Sequence, residues 1–376
     1  MKLVFLSHDG NCNGGAQKCL VDLLKGIRLK YPDSKIYMIF PYEGDLLSIC
    51  LPYIDGYRVI SMRWWLLDDN RTISLKKKLS FIFKSLKKAK KIRRYLQLIK
   101  PDYAVTNTIV LPYLALSCRF MSIKHIWFIH EIPATWSDRR FVFTTKTVYK
   151  WINCLSQKIV VPSNYAKSFY ECEIPADKIA VVDQAVGLAP VTSSPPPKKH
   201  ERYTILLVGT FDSNKGQIEL LQAVKEIVNS GKDINCYLVG ADAGTLSICK
   251  EYIALNNLEG NVTIIPFTEH IETYYLLVDV LVVCSGFETF GRVAVEAQKC
   301  DLPVILSNVG ANPERIQDGV NGLLYAKGDI GDLVAKIEML RDEHVRNNFV
   351  EQIKTIGLDR YSIASFASQF CDSIKS

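Results

Sequence analysis

A short β-rich run followed by a longer helical segment, repeated ten times, constrains this 376-residue chain more than any other feature. In the first half the runs are residues 3–7, 35–40, 103–106, 125–130 and 158–162. The pattern restarts in the second half at 204–209, 235–239, 262–265, 280–283 and 303–306. Strands that alternate with helices build parallel sheets, because each crossover returns the chain to the same edge. Between the halves, Pro190-Val191-Thr192-Ser193-Ser194-Pro195-Pro196-Pro197-Lys198-Lys199 is polar and proline-rich and cannot join a packed element. The length also exceeds what one core ordinarily serves. The expectation is α/β throughout: two Rossmann-like, doubly wound domains, 1–189 and 204–360, facing each other across a cleft, with 190–203 as linker. A last helix over 361–376 is expected to pack back on the first domain. Ligands of such folds sit beyond the carboxyl ends of the strands.

No run approaches the roughly 18 apolar residues of a membrane-spanning helix. The opening MKLVFLSHDG has a strand-like apolar stretch too short for the core of a secretion signal. Eleven Cys are scattered without a Cys-x-x-Cys pair, which reads as reduced thiols and not a disulfide framework. His8, His125, His130, His200, His270 and His344 show no metal-ligand spacing. These features lead to the expectation of a cytoplasmic protein without a metal centre.

Three turns that follow strands carry chemistry. Gly14 and Gly15 stand at the entry to a helix that continues through Leu20, Leu23 and Leu24. Glycine there lets backbone N–H groups approach an anion closely, which the helix dipole also favours; the same pair equally suits a plain flexible turn. Gly209-Thr210, followed by Lys215-Gly216, repeats the arrangement, and a Lys at a helix entry can neutralise a phosphate or simply be solvated. In 287–297, Glu288 falls in the turn after an apolar strand and Glu296 lies two helical turns further on. Carboxylates so placed can accept hydrogen bonds from vicinal hydroxyls, one pair on a sugar and one on a ribose. The amides of Thr289, Phe290 and Gly291 between them can hold a diphosphate.

Together these residues resemble the retaining nucleotide-sugar glycosyltransferases of family four, which have the two-Rossmann GT-B fold. The likeness also takes in Ala16-Gln17, His130-Glu131, Pro162-Ser163, Pro303-Val304-Ile305, and Gly310, Glu314, Asp318-Gly319 and Asn321-Gly322. The resemblance implies that Glu288 holds the donor sugar's hydroxyls, Glu296 the ribose and Lys215 the diphosphate. It implies that Gly14 and Gly15 close over the phosphates, that His130 lies beside the donor sugar at the reaction centre, and that Asn107 contacts acceptor or donor. The sequence departs from the family at Thr210, where many members carry an Arg that pairs with the Lys. Arg292 is the candidate replacement, or else a solvated first-turn residue.

The implied reaction is metal-independent transfer with retention, in keeping with the lack of any Asp-x-Asp. The implied donor is a nucleotide-diphosphate sugar, UDP-linked first and GDP-linked next. The implied acceptor is lipid-linked or a polysaccharide, in cell-surface glycan synthesis. Two rivals remain: a GT-B nucleotide-sugar epimerase, against which the Glu288/Glu296 pair argues, and a non-catalytic GT-B partner subunit at the membrane.

Net charge is +7, but residues 1–189 carry 29 basic and 15 acidic side chains, and the remainder 17 and 24. Twelve basic residues and no acid lie between Asp69 and Asp102. Within that stretch Leu75, Leu79, Ile82, Leu86, Ala89, Ile92, Leu96 and Ile99 recur at helical spacing and are expected to pack inward as one stripe. Lys84, Lys87, Lys88, Lys90, Lys91, Arg93 and Arg94 crowd the other faces and suit an anionic membrane surface, contacted mainly through charge on the cytoplasmic side. No nucleic-acid motif accompanies the charge, so nucleic acid is not the expected partner.

Overall fold

The computed structural model describes residues 1–67, 74–136, 139–187 and 202–375, so the expected linker 190–203 lies almost wholly outside it. The first nine strands are β1 (Lys2–Leu6), β2 (Lys35–Phe40), β3 (Gly56–Val59), β4 (Leu66–Leu67), β5 (Tyr103–Thr106), β6 (Lys124–Phe128), β7 (Arg140–Phe141), β8 (Lys158–Val161) and β9 (Ile179–Val181). Seven of them form one parallel sheet in the order β3-β2-β1-β5-β6-β8-β9, while β4 and β7 make a separate antiparallel pair. Six more strands, β10 (Thr204–Val208), β11 (Asn235–Val239), β12 (Val262–Ile265), β13 (Val280–Val283), β14 (Val304–Ser307) and β15 (Leu323–Tyr325), form a parallel sheet ordered β12-β11-β10-β13-β14-β15. Both orders reverse direction once, between β1 and β5 and between β10 and β13, and each reversal opens a crevice at the carboxyl ends of the strands.

Contacts divide the chain into two units: Met1–Val186 with Arg360–Ser376, and Gly187–Asp359. The helices of the first unit are α1 (Gly15–Lys30), α2 (Asp45–Cys50), α3 (Leu75–Ile99), α4 (Tyr113–Cys118), α5 (Thr145–Leu155) and α6 (Asn164–Tyr170). The second unit holds α7 (Gln217–Asn229), α8 (Leu246–Leu255), α9 (Ile271–Leu277), α10 (Arg292–Lys299), α11 (Ile330–Met339) and α12 (Glu343–Ile356). The last helix, α13 (Ile363–Lys375), returns to the first unit and packs along α1.

A strand covered on both faces must be apolar on both, which is why β1, β10 and β13 read as continuous hydrophobic runs. Each sheet accordingly has a core on either side. In the first unit, Leu3 and Phe5 face α1 and α13, while Val4 and Leu6 face α3, α4 and α5. In the second, Ile205 and Leu207 face one cluster and Leu206 the opposite one.

The apolar stripe of α3 departs from expectation. Ala89, Ile92, Leu96 and Ile99 are buried, but Leu75, Leu79 and Leu86 are 72%, 46% and 45% exposed. The stripe repeats at about 3.4 residues against the 3.6 of a straight helix, so over its length it winds round by about 120°. When the second half of the helix faces the sheet, the first half of the stripe has turned away from it. Among the described residues, no helix is long and apolar enough to cross a membrane.

Candidate functional site

The expected site residues fall into two groups, one in each unit, both at the reversal of strand order. In the second unit the turn after β10 meets the turn after β13, and Asn214 joins them. Its side chain accepts from the amide of Phe287 at 3.0 Å and donates to the Phe287 carbonyl at 3.1 Å, while its own carbonyl accepts from Gly286 at 2.7 Å. Asp212 shapes the first turn by accepting from the amides of Asn214 and Lys215 and from the Thr210 hydroxyl. Gly216 enters α7 in a left-handed conformation (φ 70°), and a Cβ there would come within 2.2 Å of the Cys284 carbonyl. Only glycine fits that approach.

This scaffold sets the Lys215 ammonium 2.5 Å from Glu288, with both side chains about four-fifths buried. Burial works against the lysine's charge, but the charge and hydrogen bond of Glu288 outweigh it, so its pKa lies above the ordinary value. Ser285 donates to the same carboxylate oxygen at 2.8 Å. Behind Glu288, Gly310 (φ 64°) lies so close that a Cβ would come 2.5 Å from the Glu288 amide, and the Ala311 amide donates to the Glu288 carbonyl.

Past Glu288, Thr289 is half-buried, and Phe290 is buried beneath the Arg315 guanidinium at 4.4 Å. Gly291, also left-handed at φ 84°, is the N-cap of α10 and offers no capping side chain of its own. Glu296 accepts from the Tyr275 hydroxyl at 2.9 Å and stands 3.8 Å from Arg292. Arg292 is thus set against Glu296, one turn on along the same helix. Gly209 lies under the Lys215 stem, and Thr210 is exposed.

A further cluster in this unit escapes any reading of the sequence. Glu219, in the first turn of α7, takes hydrogen bonds from the Tyr325 hydroxyl and the Gly328 amide at 2.9 Å each, and an ion pair from Lys327. Lys327 in turn donates to the Cys284 carbonyl at 2.8 Å. This ties the end of β15 to the end of β13, directly beneath the Gly216 approach.

In the first unit, Gly14 caps α1 in extended conformation and offers no capping side chain of its own. Asn107, following β5, is fully buried. Its Nδ2 donates to the Ala16 carbonyl at 3.1 Å, which leaves Oδ1 facing His130 Nε2 at 2.9 Å. That oxygen can only accept, so Nε2 carries the proton and Nδ1 a lone pair. Gln184 Nε2 supplies the matching donor to Nδ1 at 3.0 Å. Asn107, expected to touch acceptor or donor, therefore connects the glycine turn to His130. Gln184 was not among the expected residues, because 54 positions of sequence separate it from its partner. Glu131 accepts from the Thr108 hydroxyl and the amides of Ile109 and His130, which fixes the turns after β5 and β6 to one another.

The basic residues of α3 belong to neither group. Lys84, Lys87, Lys90, Lys91 and Arg94 are exposed, Lys88 is half-buried, and Arg93 lies 4.8 Å from the Phe120 ring.

Residues 191–355 match the family model described as glycosyl transferases group 1. Among curated proteins, the chain is 30% identical over 212 residues to an uncharacterized 41.2 kDa protein in the cps region of Klebsiella pneumoniae, covering 53% of this chain and 55% of that one. It is 30% identical over 148 residues to the capsular polysaccharide biosynthesis glycosyltransferase CapM of Staphylococcus aureus, covering 39% of each. The chain thus spans about half the length, or less, of these curated relatives. Among solved structures, Anabaena Alr3699/HepE in complex with UDP superposes with a TM-score of 0.78 at 19% identity, over 100% of both chains. At that identity the likeness shows the fold, which is GT-B. Residues 191–355 are thus similar to the glycosyl transferases of group 1.

Proposed function

We propose that the chain is a retaining, metal-independent glycosyltransferase. It takes a sugar from a nucleotide-diphosphate donor, UDP-linked first and GDP-linked next, and passes it to a lipid-linked or polysaccharide acceptor in cell-surface glycan synthesis. It works as a peripheral protein on the cytoplasmic membrane face. The observation that carries the reading is the double turn stitched by Asn214, which presents Lys215, Glu288 and the amino end of α10 at one crevice. The family match over 191–355 supports it, and so does the crystallisation of Alr3699/HepE with UDP and with UDP-glucose.

Breaking a glycosyl–diphosphate bond puts negative charge on the leaving group and positive character on the sugar. Lys215 and the α10 amides answer the first by being in place before the charge develops. Glu288 then exchanges its bond to Lys215 for the sugar's hydroxyls, while Glu296 takes the ribose. Neither carboxylate is left to act as the nucleophile of a retaining hydrolase. The acceptor hydroxyl instead attacks on the face the diphosphate leaves, and a phosphate oxygen accepts its proton.

A thermal-shift panel of nucleotide sugars tests donor binding, where a ligand at 100 times its dissociation constant adds about 2.7 kcal/mol. UDP-sugars are expected to stabilise most. NMR of the product's anomeric centre tests the stereochemistry, and inversion would refute the mechanism. A Glu288→Gln variant with unchanged turnover would refute the assignment of the site.

A further inference from the structure

The unburied half of the α3 stripe has a consequence for how the chain meets a membrane. At about 100° per residue, Leu75, Leu79, Phe83 and Leu86 share one arc of the helix, centred about 100° round from the buried arc of Ala89, Ile92 and Leu96. Their exposures are 72%, 46%, 66% and 45%. Four large apolar side chains on one solvent-facing arc are a contiguous patch that a soluble surface ordinarily avoids. The helix around them carries ten Lys or Arg and no acid. An apolar arc flanked by cations on a single helix matches a layer with anionic headgroups outside and hydrocarbon beneath.

Direction along the fold adds to this. The carboxyl end of α3 stops at Lys100, and Asp102 bonds the backbone of Lys2, so that end lies at the amino edge of β1 and β5. The helix of 25 residues spans about 37 Å, several times the length of β5. Its amino half consequently points to the opposite edge of the sheet, the edge where Gly14, Asn107 and His130 lie.

We infer that the first three turns of α3 insert their apolar arc into an anionic bilayer interface, and so hold the first unit's crevice at the surface that bears the acceptor. This rests on the reading of a membrane-borne acceptor and replaces purely electrostatic contact with insertion. Flotation of the full-length chain with phosphatidylcholine vesicles, plain or mixed two to one with phosphatidylglycerol, tests it. The expected result is binding to the mixed vesicles alone, and at least a tenfold loss in the Leu75→Gln/Leu79→Gln/Phe83→Gln variant. Unchanged thermal melting and UDP response would show that this variant is folded. Binding by the variant equal to that of the parent chain would overturn the inference, as would absence of binding by the parent chain. Concentration-dependent dimerisation of the parent chain, lost in the variant, would overturn it too and assign the arc to a second copy. Donor hydrolysis, measured without vesicles, separates the two readings: its absence alongside intact vesicle binding would refute the transferase and leave the insertion standing.

Discussion

Gly310 and Gln184 show how much of this site depends on residues that hold Glu288 and His130 in place. Gly310→Ala forces a Cβ against the Glu288 amide from a left-handed backbone. It is expected to cost about 1–3 kcal/mol of stability and to weaken UDP-sugar binding at least tenfold, read by calorimetric titration. Gln184→Leu removes the donor that faces His130 Nδ1. The expected outcome is a roughly tenfold fall in turnover, equivalent to about 1.4 kcal/mol, and nitrogen chemical shifts of the His130 ring that leave the Nε2–H pattern. An unchanged ring signature would show that Gln184 does not set the tautomer. Gln184, unlike Gly310, is illegible in the sequence for a plain reason. Lys215, Glu288 and Glu296 announce themselves by charge at the entry or first turns of a helix. Asn214, Asp212, Gln184 and Glu219 are ordinary polar residues whose meaning lies in partners up to 109 positions away.

At the scale of elements, the apolar runs of β1, β2, β5, β10, β11 and β13 were readable because a strand buried on both faces has no freedom to be polar. Three of the four edge strands, β3, β9 and β15, were not. β3 is exposed over Tyr57, Arg58 and Val59, and β9 and β15 are three residues each, below the length at which a pattern exists. The α3 stripe was read correctly as a helix and wrongly as one inward face, since a 3.4-residue repeat looks straight on paper and winds on a real helix.

β6 carries a different test. His125 is buried with Nε2 2.8 Å from the Thr106 hydroxyl, and burial pushes its pKa down from 6.5 to about 3. The unfolded chain therefore takes up this proton first. The stability it confers is complete above about pH 6.5 and drains at up to about 1.4 kcal/mol per pH unit as the pH falls towards 3. His125→Phe is expected to flatten that part of the stability–pH curve in chemical denaturation, even if it lowers the curve as a whole. An equal slope in both proteins would place the acid sensitivity elsewhere.

On the scale of the molecule, the net charge of +7 belongs mainly to one helix and is no general property of the surface. Thiol chemistry gives a whole-chain check of burial. Cys154 and Cys172 are exposed, whereas Cys50, Cys118 and Cys284 are buried, with their thiols pushed up to about 12. A maleimide is expected to label the first two rapidly in the native protein and the other three only on unfolding, as read by mass spectrometry. The two units also predict separable stability. Phe370 of α13 packs 6.3 Å from Phe5 and 5.5 Å from Phe128. Phe370→Ala should cost about 3–5 kcal/mol and speed hydrogen exchange in β1 and β6, leaving β10 and β13 unchanged.

That same helix puts the order of manufacture at odds with the order in space. A ribosome that has finished Val186 must still add Gly187 to Asp359, which is 359 − 187 + 1 = 173 residues, before α13 begins to emerge. At about 5–20 residues per second, the nascent first unit waits roughly 10–35 s with the apolar flank of α1 uncovered. The second unit, contiguous in the chain, meets no such delay. Newly made chains should therefore depend on a holding chaperone through their first half, long after that half has been translated.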